Sequence, residues 1–281
     1  MITLGWIKGA MLPLPCSPLC CEVVVKGKVY CVQVSPMALR GTWKCQSLLK
    51  IDCQVNSAGQ IIINSTSPLL DVFTYQQFRE CLINIEQGAI EMVIEFIELN
   101  ELVTIDELKC FSEFWKKDPA LLPIFITAPA SHKHHHSYPH GLLKHSVETA
   151  RLSWNQANQL KLSEIECQLA LMAGLIHDVG KVFPILKSGG AYCPSEHECQ
   201  NWAILGVPLG QLAETKYPWY EILCDALTPR TNKNVVNRIE KIVRFSDQLS
   251  AVNDITEQRF NASPSHHHYK NHLKKKYKRA V

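Results

Sequence analysis

His145, the adjacent pair His177–Asp178 and Asp247 are imidazoles and carboxylates set inside otherwise apolar helical segments. In "LALMAGLIHDVGK" the chain is apolar up to His177, turns polar at Asp178, and has Gly180 placed to end the helix. A charged carboxylate buried without a partner is costly, and a cation removes that cost. His145 falls about one turn after a helix start at Gly141, and Asp247 is embedded in "IVRFSDQLSA". Two histidines and two carboxylates on three helices can converge as nitrogen and oxygen ligands of a divalent cation.

Such a cation lowers the pKa of water and polarises a phosphoryl oxygen, which is the chemistry of phosphate-ester hydrolysis. The approach to His145 is itself histidine-rich. In "SHKHHHSYPHGLLKHSVETA", six of the chain's twelve histidines fall between His132 and His145. His134, His135 and His136 lie just before the ligand helix, close enough to donate to phosphate oxygens or protonate a leaving group. His132 and His140 read as surface residues, and His266, His267 and His268 as solvated.

Helices must carry these ligands. Leu143, Val147, Ala150, Trp154 and Ala157 form one apolar stripe; Ile165, Leu169, Met172 and Ile176 form a second; Val235, Ile239, Ile242 and Leu249 form a third. The expected architecture for residues 119–260 is therefore an all-α domain. Residues 1–70 read differently. "LLKIDCQVN" alternates, with Leu49, Ile51, Cys53 and Val55 on one face, and Gly27 breaks "EVVVKGKVYCVQV" into a hairpin. This predicts a small β module, an OB-like barrel or a sandwich. Between them, Phe78, Leu82, Ile85, Ala89, Met92 and Phe96 keep one helical stripe within a linker spanning 71–118. A second linker helix is expected with a cap at Thr104 and Leu108, Phe111 and Trp115 inward. The fold class is α+β.

Charge is distributed unevenly. Residues 1–70 carry six Lys/Arg against two acids, residues 71–118 carry four against eleven, and the tail from Pro264 carries six bases and no acid. Basic ends suit contact with a polyanion, with Lys274, Lys275, Lys276 and Arg279 as candidate nucleic-acid contacts. The alternative for such a terminus is a solvated, disordered tail. No apolar run reaches membrane-spanning length, and the N-terminal segment lacks a basic n-region and cleavage site, so the expectation is a cytoplasmic protein with no membrane partner. The twelve cysteines are scattered rather than densely framed, and most read as small buried hydrophobes. "CSPLCC" and "CPSEHEC" lack a matching second half for structural zinc.

The order His145, "HD" at 177–178, then Asp247 resembles the HD-domain metal-dependent phosphohydrolase superfamily. "TAPASHKHHHSYPHGLLKHSVETA" followed by "GLIHDVGK" is similar to two of its branches, the bacterial 3′-5′ exoribonucleases with an OB-fold before the HD domain and the HD-type relaxases of conjugative elements. The resemblance covers residues 120–255. It implies His145, His177, Asp178 and Asp247 as metal ligands, with Asp178 able to bridge two ions. Lys181 would lie near the substrate phosphate, and His197 would be an extra ligand to a second ion. Asp178, Lys181, His135 and His136 are then the catalytic candidates, with Mn, Fe, Co or Mg as the metal. Two departures stand out: His140 replaces a glycine, and "YEILCDALTPRTN" has no histidine, Asp225 being the nearby acid beside Glu221. They imply one tight metal site and a weaker second.

Three functions follow. The first is a metal-dependent phosphodiesterase acting on single-stranded RNA or DNA from its 3′ end. The second is a relaxase-like DNA-processing protein. The third is a catalytically weakened HD protein that binds nucleic acid or a partner.

Overall fold

A computed structural model describes residues 1–8, 19–26, 28–34, 48–69, 74–82, 85–131, 134–183, 197–228, 236–261, 263–272 and 275–279. The chain is α+β and divides into two compact units, one of residues 1–126 and one that begins at Thr127.

The first unit opens on five antiparallel strands, β1 (Ile2–Lys8), β2 (Leu19–Val25), β3 (Lys28–Val34), β4 (Leu48–Val55) and β5 (Ile61–Pro68), in the order β3-β2-β1-β4-β5. The expected hairpin is β2–β3, with Lys26 in the left-handed region at its turn (φ 50°). Cys21, Val23, Val25, Leu49, Ile51 and Cys53 form the buried face, as period-two alternation dictates. Val55, assigned to that face from sequence, is exposed at the last position of β4, although Cys53 two residues earlier is buried. Gly5 is needed where Ile51 crosses: a Cβ there would lie 2.2 Å from the Ile51 Cδ1. The sheet is curled and open, a half-barrel rather than a closed OB-like barrel.

Helices α1 (Tyr75–Leu82), α2 (Gln87–Glu101), α3 (Asp106–Ser112), α4 (Phe114–Lys117) and α5 (Leu121–Thr127) follow. The single stripe expected from Phe78 to Phe96 is thus divided between two helices. Glu86 enters α2 with extended backbone (ψ 151°), and Asn84 and the β-branched Ile83 and Ile85 are weak helix formers. The second linker helix enters at Ile105 rather than Thr104, and Leu108, Phe111 and Trp115 are buried as expected. Phe96, Trp115 and Phe125 pack ring on ring with centroids 4.8–5.8 Å apart. Trp6 joins the sheet to α1 through Tyr75 and Phe78.

The second unit holds α6 (Gly141–Gln159), α7 (Glu164–Ile176), a 3-10 turn at Val179–Val182, α8 (His197–Thr215), α9 (Tyr217–Leu227) and α10 (Arg238–Phe260). A C-terminal hairpin, β6 (Tyr269–His272) and β7 (Lys275–Lys278), completes it. A reciprocal capping box starts α7: the Ser163 hydroxyl accepts from the Glu166 N–H, and the Glu166 carboxylate accepts from Ser163. Helices α6 and α7 touch at main-chain level, since a Cβ on Gly174 would lie 2.6 Å from the Ala150 Cα. Two stripe residues face outward: Ile165 is exposed at the start of α7, and Leu249 is exposed on α10. Val235 lies outside the described residues.

Where Leu249 was expected to turn inward, α10 buries Ser246, Ser250 and Asp254 instead. Its inner face is apolar at Ile239, Ile242 and Val243 and polar further along. Asp225 of the α9 segment accepts from Asn237, the N-cap of α10. That is ten residues, roughly 15 Å along a helix axis, before Asp247.

Cys21, Cys53, Cys81 and Cys167 are buried thiols, as expected of small hydrophobes, whereas Cys31 is disulfide-bonded. Cys16 and Cys193 of the two candidate zinc runs lie outside the described residues. No helix among the described residues is long and apolar enough to cross a membrane.

Candidate metal centre

Three helix segments converge at one point in the second unit. His145 projects from the first turns of α6 and is fully buried. His177 and Asp178 follow the end of α7, where Asn201 of α8 fixes the turn by donating to the His177 carbonyl (2.7 Å) and accepting from the Gly180 N–H (2.6 Å). Asp247 reaches in from α10. The His145 Nε2 lies 3.2 Å from the His177 Nε2, 3.4 Å from the Asp178 Oδ2 and 3.0 Å from the Asp247 Oδ1. The His177 Nε2 lies 3.4 and 3.9 Å from the same two oxygens. Ligands bound at about 2.1 Å to one ion are roughly 3.0–3.4 Å apart in octahedral or tetrahedral geometry, so all of these separations except the 3.9 Å from His177 to Asp247 fit a shared cation. His145, His177 and Asp247 form a group able to hold a metal ion.

Tautomers support this fit. The His177 Nδ1 donates to the Gly174 carbonyl (2.8 Å), which can only accept. The Ser250 hydroxyl gives its one proton to the Glu148 Oε2 (2.7 Å) and so accepts from the His145 Nδ1 (3.0 Å). In the neutral rings both Nε2 atoms therefore carry lone pairs, and these face each other. Only a proton or a cation between them relieves the repulsion.

The electrostatics are those of a desolvated anionic pocket. Burial pulls the His145 pKa down, with the Asp247 hydrogen bond opposing it. Burial also disfavours the His177 imidazolium, but the charge of Asp178 and its hydrogen bond outweigh that and push the pKa up. Burial would raise the Asp247 carboxyl, yet hydrogen bonding to His145 and the His177 charge hold it below the ordinary carboxylate value. Lys181 pairs with the Asp178 Oδ2. The Asp247 side chain is 39% exposed while His145 is sealed, so access to the point of convergence is from the Asp247 side.

No protein-family model matches the chain, and no solved structure matches it significantly. Curated relatives do. The chain is similar to ribonuclease Y. It is 26% identical over 136 residues to ribonuclease Y of Mycoplasma genitalium, covering 46% of this chain and 24% of that protein. Against ribonuclease Y of Mycoplasma mycoides it is 29% identical over 116 residues, 41% of this chain and 23% of that protein. A shorter segment of 49 residues is 45% identical to ribonuclease Y of Lactobacillus acidophilus, 17% of this chain and 8% of the relative. The chain spans about a quarter or less of the length of the curated relatives it matches.

The histidine run separates into different environments. His134 is exposed. His135 stacks at 4.9 Å from His145, its Nε2 is buried with no hydrogen-bond partner, and burial followed by the neighbouring His145 and Lys181 pulls its pKa down to about 4. His136 is fully buried, with its Nε2 3.3 Å from Glu148 and its Nδ1 3.7 Å from Asp254. His140 is the N-cap of α6 in left-handed backbone (φ 66°), the conformation a glycine supplies. His197 opens α8, but its side chain lies outside the described residues, as do His132 and Lys274. Lys275 and Lys276 are exposed on β7. The Arg279 guanidinium donates to the carbonyls of Ser263, Pro264 and His267.

Sequence reasoning missed the residues that hold the ligands. Asp254 accepts from the His136 N–H, the Tyr138 hydroxyl (2.8 Å) and Gln258 (2.7 Å). Glu148 and Ser250 orient His145. Burial disfavours the Glu148 carboxylate, but bonds from His136 and Ser250 outweigh that and lower its pKa. The signal existed: Asp247, Ser250 and Asp254 stand at i, i+3 and i+7, a polar stripe in an otherwise amphipathic helix.

Proposed function

We propose that the chain is a metal-dependent phosphodiesterase of the HD type that hydrolyses single-stranded nucleic acid, RNA in particular, from its 3′ end. One observation carries the reading: four donor atoms of His145, His177, Asp178 and Asp247 face one point with the separations of ligands to a common ion. The likeness to ribonuclease Y supports RNA as the substrate class.

His145, His177, Asp178 and Asp247 would hold a divalent cation, Mn, Fe, Co or Mg. When bound, it supplies Lewis acidity to a phosphoryl oxygen and acidifies water. The chain's own groups do the rest. Lys181, held beside the cluster by Asp178, neutralises a phosphate oxygen. His135 is neutral at ordinary pH, with a free ring nitrogen aimed at the cluster, so it hydrogen-bonds the phosphate or takes a proton from water. His136 does not reach solvent; clamped by Glu148 and Asp254, it positions the loop and the His145 ring.

The test is protein loaded with Mn²⁺, given single-stranded RNA labelled at the 5′ or the 3′ end. Stepwise shortening from the 3′ end, abolished by EDTA and by Asp178→Asn, is the expected result. One site-specific nick in DNA would favour the relaxase reading. Absence of metal binding at micromolar Mn²⁺, Fe²⁺ and Co²⁺ would exclude hydrolysis.

A further inference from the structure

The C-terminal residues form an ordered ribbon with two unlike faces. Strand pairing sets Tyr269 against Lys278 and Asn271 against Lys276, so these four side chains share one face. All four are exposed. The Lys276 ammonium sits 4.3 Å from the Tyr269 ring centroid and that of Lys278 5.9 Å away. On the other strand face Lys270, His272 and Tyr277 are partly buried. The segment from Pro264 onward contains no acid.

An isolated two-stranded ribbon is marginal in water, and this one is fastened to the end of α10. Arg279 lies 4.7 Å over the Phe260 ring and donates to three carbonyls of the connection, and Arg259 contacts His272. A cavity of about 610 Å³ lies beside that attachment, lined by Tyr138, Lys144, Asp254, Phe260 and Arg279 among others. It shares Asp254 with the network under His136, one heptad along α10 from Asp247. Phe260, where the ribbon is fastened, is thirteen residues from Asp247, roughly 20 Å along a helix axis, so the attachment sits within a few nucleotides of the candidate metal centre.

We infer that the β6–β7 ribbon is a docking surface for single-stranded RNA: Tyr269 stacks a base, Lys276 and Lys278 bind flanking phosphates, and Arg279 anchors the ribbon to α10. The inference rests on the nucleic-acid part of the proposed function and adds to it the surface that holds the strand. An exposed aromatic ring flanked by lysines is the arrangement that binds single strands without reading sequence. An anionic membrane would be drawn by the same charges, but the exposed face carries one tyrosine and no aliphatic group to insert.

The experiment compares full-length wild type, Lys276→Glu/Lys278→Glu and Tyr269→Ala for binding of a fluorescent 12-nucleotide oligouridylate in EDTA, where no turnover occurs. Expected for the double variant is a more than tenfold loss of affinity, with the log–log salt slope reduced by about 1.4 for two lost phosphate contacts on a single strand. Tyr269→Ala should lose several-fold with its slope unchanged. Turnover of bis(p-nitrophenyl) phosphate with Mn²⁺ should be equal in all three proteins. Unchanged RNA affinity in a folded double variant overturns the inference, as does binding to phosphatidylserine vesicles without binding to RNA. RNA binding that is lost in the double variant, with no phosphodiesterase turnover in any protein, would sustain the ribbon and reject the hydrolase reading.

Discussion

The Nε2 atoms of His145 and His177 face each other at 3.2 Å with both Nδ1 atoms engaged elsewhere, so the fold presents two lone pairs to one point. A cation placed there should bind at one equivalent per chain and stabilise the second unit. At a free Mn²⁺ concentration of 100 Kd the stabilisation is about 2.7 kcal/mol, which raises Tm by roughly 5–10 °C for a unit of this size. Calorimetry with and without EDTA measures it. His177→Ala or Asp247→Ala should abolish the shift, and a persistent shift in both variants would remove these residues from the ligand set.

Ser250 joins Glu148 to the His145 Nδ1 through the two hydrogen bonds described above, on the side of the ring away from the cluster. Ser250→Ala should lower metal affinity about 10- to 100-fold, the usual cost of losing a ligand's orienting partner. Competition against a fluorescent chelator reads this directly. The circular dichroism spectrum should be unchanged; affinity equal to wild type would show that packing alone orients the ring.

Position 140 carries a histidine in left-handed backbone, and the next residue leaves no room for a side chain. His140→Gly should stabilise the second unit by about 0.5–1 kcal/mol in urea unfolding, since glycine adopts this conformation without strain. Gly141→Ala should do the reverse, by about 3 kcal/mol or more, because its Cβ would fall 2.0 Å from the His136 carbonyl oxygen. Equal stability of the two variants would refute this account of the turn.

Glu166 closes the capping box of α7 and is bridged by Arg238 from the start of α10. Burial slightly disfavours its carboxylate, but the Ser163 and Arg238 bonds outweigh that, so its folded pKa lies below the ordinary 4.5. A depressed acid contributes stability above its unfolded pKa and loses it as pH falls through the folded one. Glu166→Gln should therefore cost about 1 kcal/mol at pH 7 and progressively less below pH 4.5. Urea midpoints of the two proteins at pH 7 and pH 3 test it, and a constant difference would exclude the charge as the cause.

The helices that carry the candidate site were legible because burial imposes a 3.6-residue period, and a histidine or aspartate inside such a stripe breaks it visibly. Alternation likewise marked β4, and a β-branched run broken by Gly27 marked the β2–β3 hairpin. What failed was the inward face of α10 near the site. Leu249 was expected inside because apolar residues usually point inward, whereas Ser250 and Asp254 are buried there and bond His145 and His136, and Ser246 is buried and bonds Gln156. Hydrogen bonding inverted the apolar rule. The break between α1 and α2 was hidden for another reason: the apolar spacing runs on through Ile85, which belongs to neither helix. Sheet closure was also beyond reach, since alternation fixes faces and says nothing about which edges pair.

Gly174 lies three residues before His177, and Ala150, against which it packs, lies five after His145. The distance between the two imidazoles is thus borne by main chain pressed on main chain. A methyl group at position 174 would part the helices and the donors together. Ordering of the two imidazoles is completed when α6 and α7 pack, so its entropic cost falls on folding and not on capture of a cation.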